Sequence, residues 1–233
     1  MALLYANTKL CDIIAHEPSV IPVINRFGIR LGTGDATIAN ICAKYDLDTE
    51  FFLTILNTFI NEEYFPEKIL KSFCASTIIE YLRKTNDYHL RVQLPNIDRH
   101  FALLIERSHK DNNLGAMLKF YNELRKDIAE RIDNDTNSWF PAIISMEQRH
   151  DIRPVIESIS PTISEESDPI EDKLHDLKNL FIIHLTGDYD QNLCYGVLIA
   201  IMSLEKDIKQ NNRIRNRILA PVARVMQQLI ENR

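Results

Sequence analysis

The sequence predicts an all-α protein in two parts: a small helical module over residues 1–65, and an up-down four-helix bundle over residues 70–233 with a polar linker at about 148–168. Three observations predict it. Apolar residues recur at the three-to-four-residue spacing of amphipathic helices. Cap and stop residues fall at the ends of those patterns. The chain has only 6 glycines and 9 prolines in 233 residues, too few for a turn-rich β fold.

The module reads as four short helices. Thr8 is the expected cap of a helix carrying Leu10, Ile13 and Ile14, which Pro18 ends. Ser19 is the expected cap of the next, with Val20, Val23, Ile24 and Phe27 on one face and Gly28 as its stop. After the loop Gly32-Thr33-Gly34, Asp35 is placed to cap a helix that turns Ile38, Ile41 and Cys42 inward. Asp48 is placed to cap a fourth, through Phe52, Ile55, Leu56 and Phe59. Residues 61–72, with Pro66 at their centre, read as a hinge.

The first long helix starts near Ser76 and continues through Ile78, Ile79 and Leu82 to Phe101, Leu104 and Ile105. Pro95 should kink it, since proline removes a donor and crowds the preceding turn. Asn112 and Asn113 make a turn, a second helix spans 114–135, and Trp139-Phe140-Pro141 closes it with core packing. A third helix is expected from Ile170 to Leu185, with Gly187 as its stop, and a fourth from about 192 to 231, bent near Pro221. Glu165, Glu166 and Asp168 read as part of the solvated linker.

Composition narrows the function classes. A formal net charge of −6 argues against a nucleic-acid-binding protein. The local exception is Arg213, Arg215, Arg217 and Arg224 on the last helix, read as a solvated face with ion pairs or, as a weaker alternative, a DNA-binding surface. No stretch approaches the ~20 apolar residues of a membrane span. With no secretory leader at the start, the chain reads as cytoplasmic, and its scattered Cys11, Cys42, Cys74 and Cys194 as buried reduced thiols. No CxxC pair, P-loop, dinucleotide fingerprint or nucleophile elbow is present.

Several strings, taken in order, resemble one family. They are Asp12-Ile13-Ile14, Pro18 and Arg26-Phe27-Gly28-Ile29 in the module. In the bundle they are Ile78-Ile79-Glu80-Tyr81, Gln93-Leu94-Pro95, Trp139-Phe140-Pro141 and Ile218-Leu219-Ala220-Pro221. Together they resemble the repair-of-iron-centres family, hemerythrin-like di-iron proteins linked to mending nitrosative or oxidative damage at iron–sulfur clusters. The resemblance implies a small N-terminal module and a hemerythrin-like bundle holding two irons. In the family two adjacent cysteines follow the Gly-Ile step. Here Gly32 and Thr33 stand in those places, so thiol chemistry at that loop is lost.

The implied iron ligands are carried over in part. The first-helix histidine falls on Asp87, an oxygen donor, with His89 two residues away and expected to face elsewhere. His109 and His175 keep two family histidines. The second-helix His/Glu pair falls on Arg131 and Asp135, and the fourth-helix pair on Asn211 and Arg215. The residual ligands are thus Asp87, His109, Asp135 and His175. Two arginines stand where ligands should be, and the expectation is that Arg131 or Arg215 pairs with Asp87 or Asp135. Plainer readings stay open: His109 as a helix C-terminal cap, His175 as a hydrogen-bonded histidine. His16, His100, His150 and His184 read as surface residues.

These observations give a non-catalytic relative of the repair proteins, with no cofactor, that binds a protein partner, a ligand or a second copy of itself in iron or nitrosative stress. The alternative is a working iron protein, mononuclear or di-iron, active in cluster repair or iron delivery.

Overall fold

A computed structural model describes residues 3–108, 111–149 and 168–231. The fold is all-α. The only β-type pairing among the described residues is an isolated bridge between Lys9 and Thr37. The described helices are α1 (Leu10–His16), α2 (Ile21–Arg26), α3 (Ile38–Tyr45), α4 (Thr49–Ile60), α5 (Glu67–Ser72), α6 (Ala75–Tyr88), α7 (Leu94–Arg107), α8 (Leu114–Asn134), α9 (Phe140–Arg149), α10 (Pro169–Ile183), α11 (Gln191–Ile214) and α12 (Ala220–Glu231).

Internal contacts divide the chain into two compact units, each assembled from separate stretches. The first comprises Met1–Thr85, Ala142–Ile163 and Gln210–Arg233; the second comprises Asn86–Pro141 and Ser164–Lys209. The sequence division near residues 65–70 follows chain order, whereas this one follows packing. The changes of unit after Thr85 and after Lys209 each fall within a helix, α6 and α11. Part of the hinge expected at 61–72 is helical, as α5, directly after Pro66.

In the first unit two helices, α3 and α4, start on caps from adjacent side chains. Asp48 Oδ1 accepts from Phe51 N at 2.8 Å and caps α4 as expected. Thr37, rather than Asp35, caps α3 through Asn40 N at 3.3 Å, while Asp35 pairs with Lys9 at 3.1 Å. Thr8 accepts from Tyr5 N instead of capping α1, and Ser19 donates to Glu17. Gly28 follows α2 at φ 73°, a conformation that costs glycine little and other residues more. The α6 N-terminus takes a remote cap: the Glu147 carboxylate accepts from Ala75 N at 2.6 Å and Ser76 N at 3.0 Å. Leu10, Val20, Ile24, Phe52, Ile55 and Leu56 are wholly buried. Phe27 meets Phe52 edge-on at 4.8 Å and stacks on Tyr81 at 5.6 Å.

The second unit has one core, to which α7, α8, α10 and α11 all contribute: Phe101, Leu104, Tyr121, Leu124, Leu174, Leu177, Val197 and Ile201 among others. Asp168, read from sequence as linker, caps α10 through Ile170 N and Glu171 N. Asn112 Oδ1 accepts from Leu114 N, and Asn113 Nδ2 donates to His184 O at 2.7 Å, so the expected asparagine turn is tied to the end of α10. A Cβ on Gly187 would lie 2.6 Å from Asn112 Cα, so this loop admits only glycine.

The bends expected at Pro95 and Pro221 take an unexpected form, and Pro141, expected to close its helix, takes the same one, with the helix running on to Arg149. Each is a five-residue π-helical turn, at His89–Gln93, Asp135–Trp139 and Arg215–Leu219. Pro95, Pro141 and Pro221 each follow one by two residues. Four residues before each proline stands Arg91, Asn137 or Arg217, the central residue of its π turn. Proline cannot donate to that carbonyl and its ring crowds it. Widening the turn relieves the clash without ending the helix.

Candidate functional site

Among the described residues, the polar side chains buried in the second unit are those of His89, Gln93, Asp135 and Asp207. The π turns position three of them. His89 opens the first and Gln93 ends it; Asp135 opens the second. Asp207 stands on α11, three residues beyond Leu204 and beside Ile208, on the face that packs inward.

His89 Nε2 lies 3.2 Å from Asp207 Oδ2, with the two side chains 5% and 2% exposed. With Asp207 ionised its carboxylate can only accept, and Nε2 is then the donor of this bond. Both residues have further interactions. The pair removes two groups from water that neither could leave alone without a large cost. Nearby in chain terms, Tyr121 OH donates to Asp98 Oδ1 at 2.7 Å, and Arg125 Nε bonds the same carboxylate at 3.0 and 3.2 Å. Burial, reinforced by Asp98, pushes the Tyr121 phenol far above its ordinary range. It is therefore a fixed donor and not a general base.

Of the residual iron ligands inferred from the family resemblance, Asp87, Asp135 and His175 are not grouped to hold a metal ion. Asp87 is 66% exposed and faces Arg91 one turn along at 4.0 Å. The inward residue of that stretch is His89, reversing the expected assignment. His175 is 60% exposed, with Nδ1 3.7 Å from Glu205 Oε1. Asp135 is buried, at 2% exposure. His109 lies outside the described residues, as does His150. Arg131 bonds Asp168 at 2.9 and 3.1 Å, tying α8 to the cap of α10, a partner not expected from the sequence. In the first unit Asn211 is buried and accepts from Thr85 Oγ1 at 3.5 Å, and Arg215 donates to Asn216 at 2.9 Å.

A di-iron centre needs several imidazole and carboxylate donors converging from facing helices. Here one residual ligand is in a core and two are on the surface. Among the described residues, no three His, Cys, Asp or Glu side chains are placed to hold a metal ion. The described donor set does not fit the cluster. The loop at Gly32-Thr33 carries no thiol. Of the four cysteines, Cys42 and Cys194 are buried, with burial pushing both thiols up, whereas Cys74 is exposed and Cys11 partly so. The expectation of buried thiols therefore holds for two.

Sequence reasoning missed His89 and Asp207, although a signal was present. The apolar face of α6 runs Ile78, Leu82, Thr85, and its next member at helical spacing is His89, not Asp87. On α11 the series Val197, Ile201, Leu204 leads to Asp207 and Ile208 in the same way.

No protein-family model, no curated protein and no solved structure matches the chain. No helix of the described residues is long and apolar enough to cross a membrane.

Proposed function

We propose that this chain is a non-catalytic relative of the hemerythrin-like iron–sulfur repair proteins, a cytoplasmic helical protein that binds a protein partner or small ligand in iron or nitrosative stress. On this reading α7, α8, α10 and the first part of α11 form an up-down four-helix bundle of hemerythrin type, with α1 to α4 as the N-terminal module. The observation that carries the reading is the buried His89–Asp207 pair. An imidazole and a carboxylate, the side chains such bundles give to iron, here engage each other. The exposed positions of Asp87 and His175 support the same reading.

Anaerobic titration with iron(II), followed by thermal unfolding, tests it. A ligand that binds only the native state raises Tm according to its concentration over Kd. A Tm that stays constant through the titration supports the proposal. A saturable rise, abolished by His175→Ala or Asp135→Ala with helicity retained, would reinstate the iron-binding alternative.

A further inference from the structure

The arginine-rich final segment singled out in the sequence has its own structure in the first unit. Arg213 and Arg217 share one aromatic ring: their guanidinium carbons stand 5.0 and 4.1 Å from the centroid of Phe65. Arg213 is further fixed by three acceptors. Nη1 donates to Thr58 O at 3.2 Å and Gln210 Oε1 at 2.6 Å, and Nη2 donates to Tyr64 O at 3.0 Å. Burial weakens the hold of Arg213 on its proton, and the charge of Arg217 adds to that; Glu62 opposes both. Arginine nevertheless stays protonated, so two like charges meet where like charges are disfavoured.

Two buried polar residues touch this arrangement, Gln210 through its side-chain oxygen and Thr58 through its backbone carbonyl, and the side chain of each remains incomplete. Gln210 is 2% exposed and Thr58 is 1% exposed. Arg213 has only donors, so Gln210 must turn its oxygen toward it, and this fixes the amide orientation. Gln210 Nε2 then has no partner among the described residues, and neither does Thr58 Oγ1. Buried polar groups are ordinarily satisfied. The missing group must accept hydrogen bonds, and the two guanidiniums beside it favour one that brings negative charge.

We propose that Gln210, Thr58, Arg213 and Arg217 form a site for a small oxyanion of the phosphate type. A planar guanidinium presents paired donors to such an anion, the Gln210 amide and Thr58 hydroxyl supply further donors, and Arg217 and Phe65, both half-buried, open the set to solvent. Because Arg213 is committed to the carbonyls at the end of α4, it does not offer the free basic face that a nucleic acid needs. This inference is independent of the iron reading, whose residues belong to the other unit.

The test is thermal unfolding and calorimetric titration of the full chain with inorganic phosphate and with a phosphate monoester, against sodium chloride at matched ionic strength. Saturable binding of either is expected, with Arg217→Gln weakening it about tenfold, as loss of charged hydrogen bonds implies. Gln210→Met, of similar volume and without the amide, should abolish it while the circular dichroism is unchanged. Absence of a saturable response in the folded wild type overturns the proposal and leaves water as the partner of the orphaned groups. So does phosphate binding that both variants retain. Steeply salt-dependent binding of duplex DNA without phosphate binding would also overturn it, in favour of a nucleic-acid face.

Discussion

Two buried polar sets, one in each unit, are completed in opposite ways, although Gln93 Oε1 and Asn86 Nδ2 leave the second unit with unpartnered buried atoms of its own. In the second, His89 and Asp207 answer each other at 3.2 Å, and the Tyr121 phenol answers Asp98 at 2.7 Å. In the first, Arg213 collects three acceptors, while Gln210 Nε2 and Thr58 Oγ1, both buried, have none among the described residues. A set that closes on itself contributes to a unique fold and asks for nothing further. A set of donors left open beside two arginines asks for an acceptor. The lesson is that function in such a chain is better sought in incomplete polar groups than in the most deeply buried ones.

The largest expected effect breaks the closed set. Asp207→Ala leaves His89 buried without its carboxylate and should cost about 3 kcal/mol or more in urea unfolding, since removing one partner of a buried pair strands the other. A loss below about 1 kcal/mol, the range of surface pairs, would show that the pair is not isolated from water. Next, Tyr121→Phe should cost about 1–2 kcal/mol through the lost hydrogen bonds to Leu94 O and Asp98. It should also alter the alkaline limb. An unfolded phenol titrates near about 10, and the folded state holds the Tyr121 proton above that, so stability falls as pH rises past the unfolded value. The variant should show a shallower decline, and an unchanged slope would assign it to other groups.

Asp168→Ala removes both a helix cap and the Arg131 partner, 20% and 12% exposed as a pair, and should cost about 1–2 kcal/mol. The smallest effects are expected at the exposed residual ligands. Asp87→Ala and His175→Ala should each change stability by less than about 0.5 kcal/mol, as surface substitutions do. A large loss at either position, dependent on iron, would erase the contrast between core and surface drawn here.

The helical class and several element ends were legible because they depend on local chemistry. Asp48 caps through its own side chain, Gly28 takes a positive φ, and Asn112 and Asn113 turn the chain. What was not legible depends on partners distant in sequence. Glu147 caps α6 from 71 and 72 residues away, and Asp168 looked like linker until Arg131 and the α10 N-terminus met it. The prolines announced bends but not π turns, because relief of a carbonyl clash can widen a helix as well as break it. The misassignment of Asp87 has a simpler cause: family position was followed where the face Ile78, Leu82, Thr85 already pointed to His89. The orphaned donors of Gln210 and Thr58 left no sequence signal, since satisfaction is a property of the packed structure.

The most direct measurement of the central claim is metal content per chain, by plasma mass spectrometry, on protein purified anaerobically from iron-supplemented cells. The account predicts essentially no metal in a protein that unfolds cooperatively. Close to two irons per chain would contradict it and restore the repair-type function.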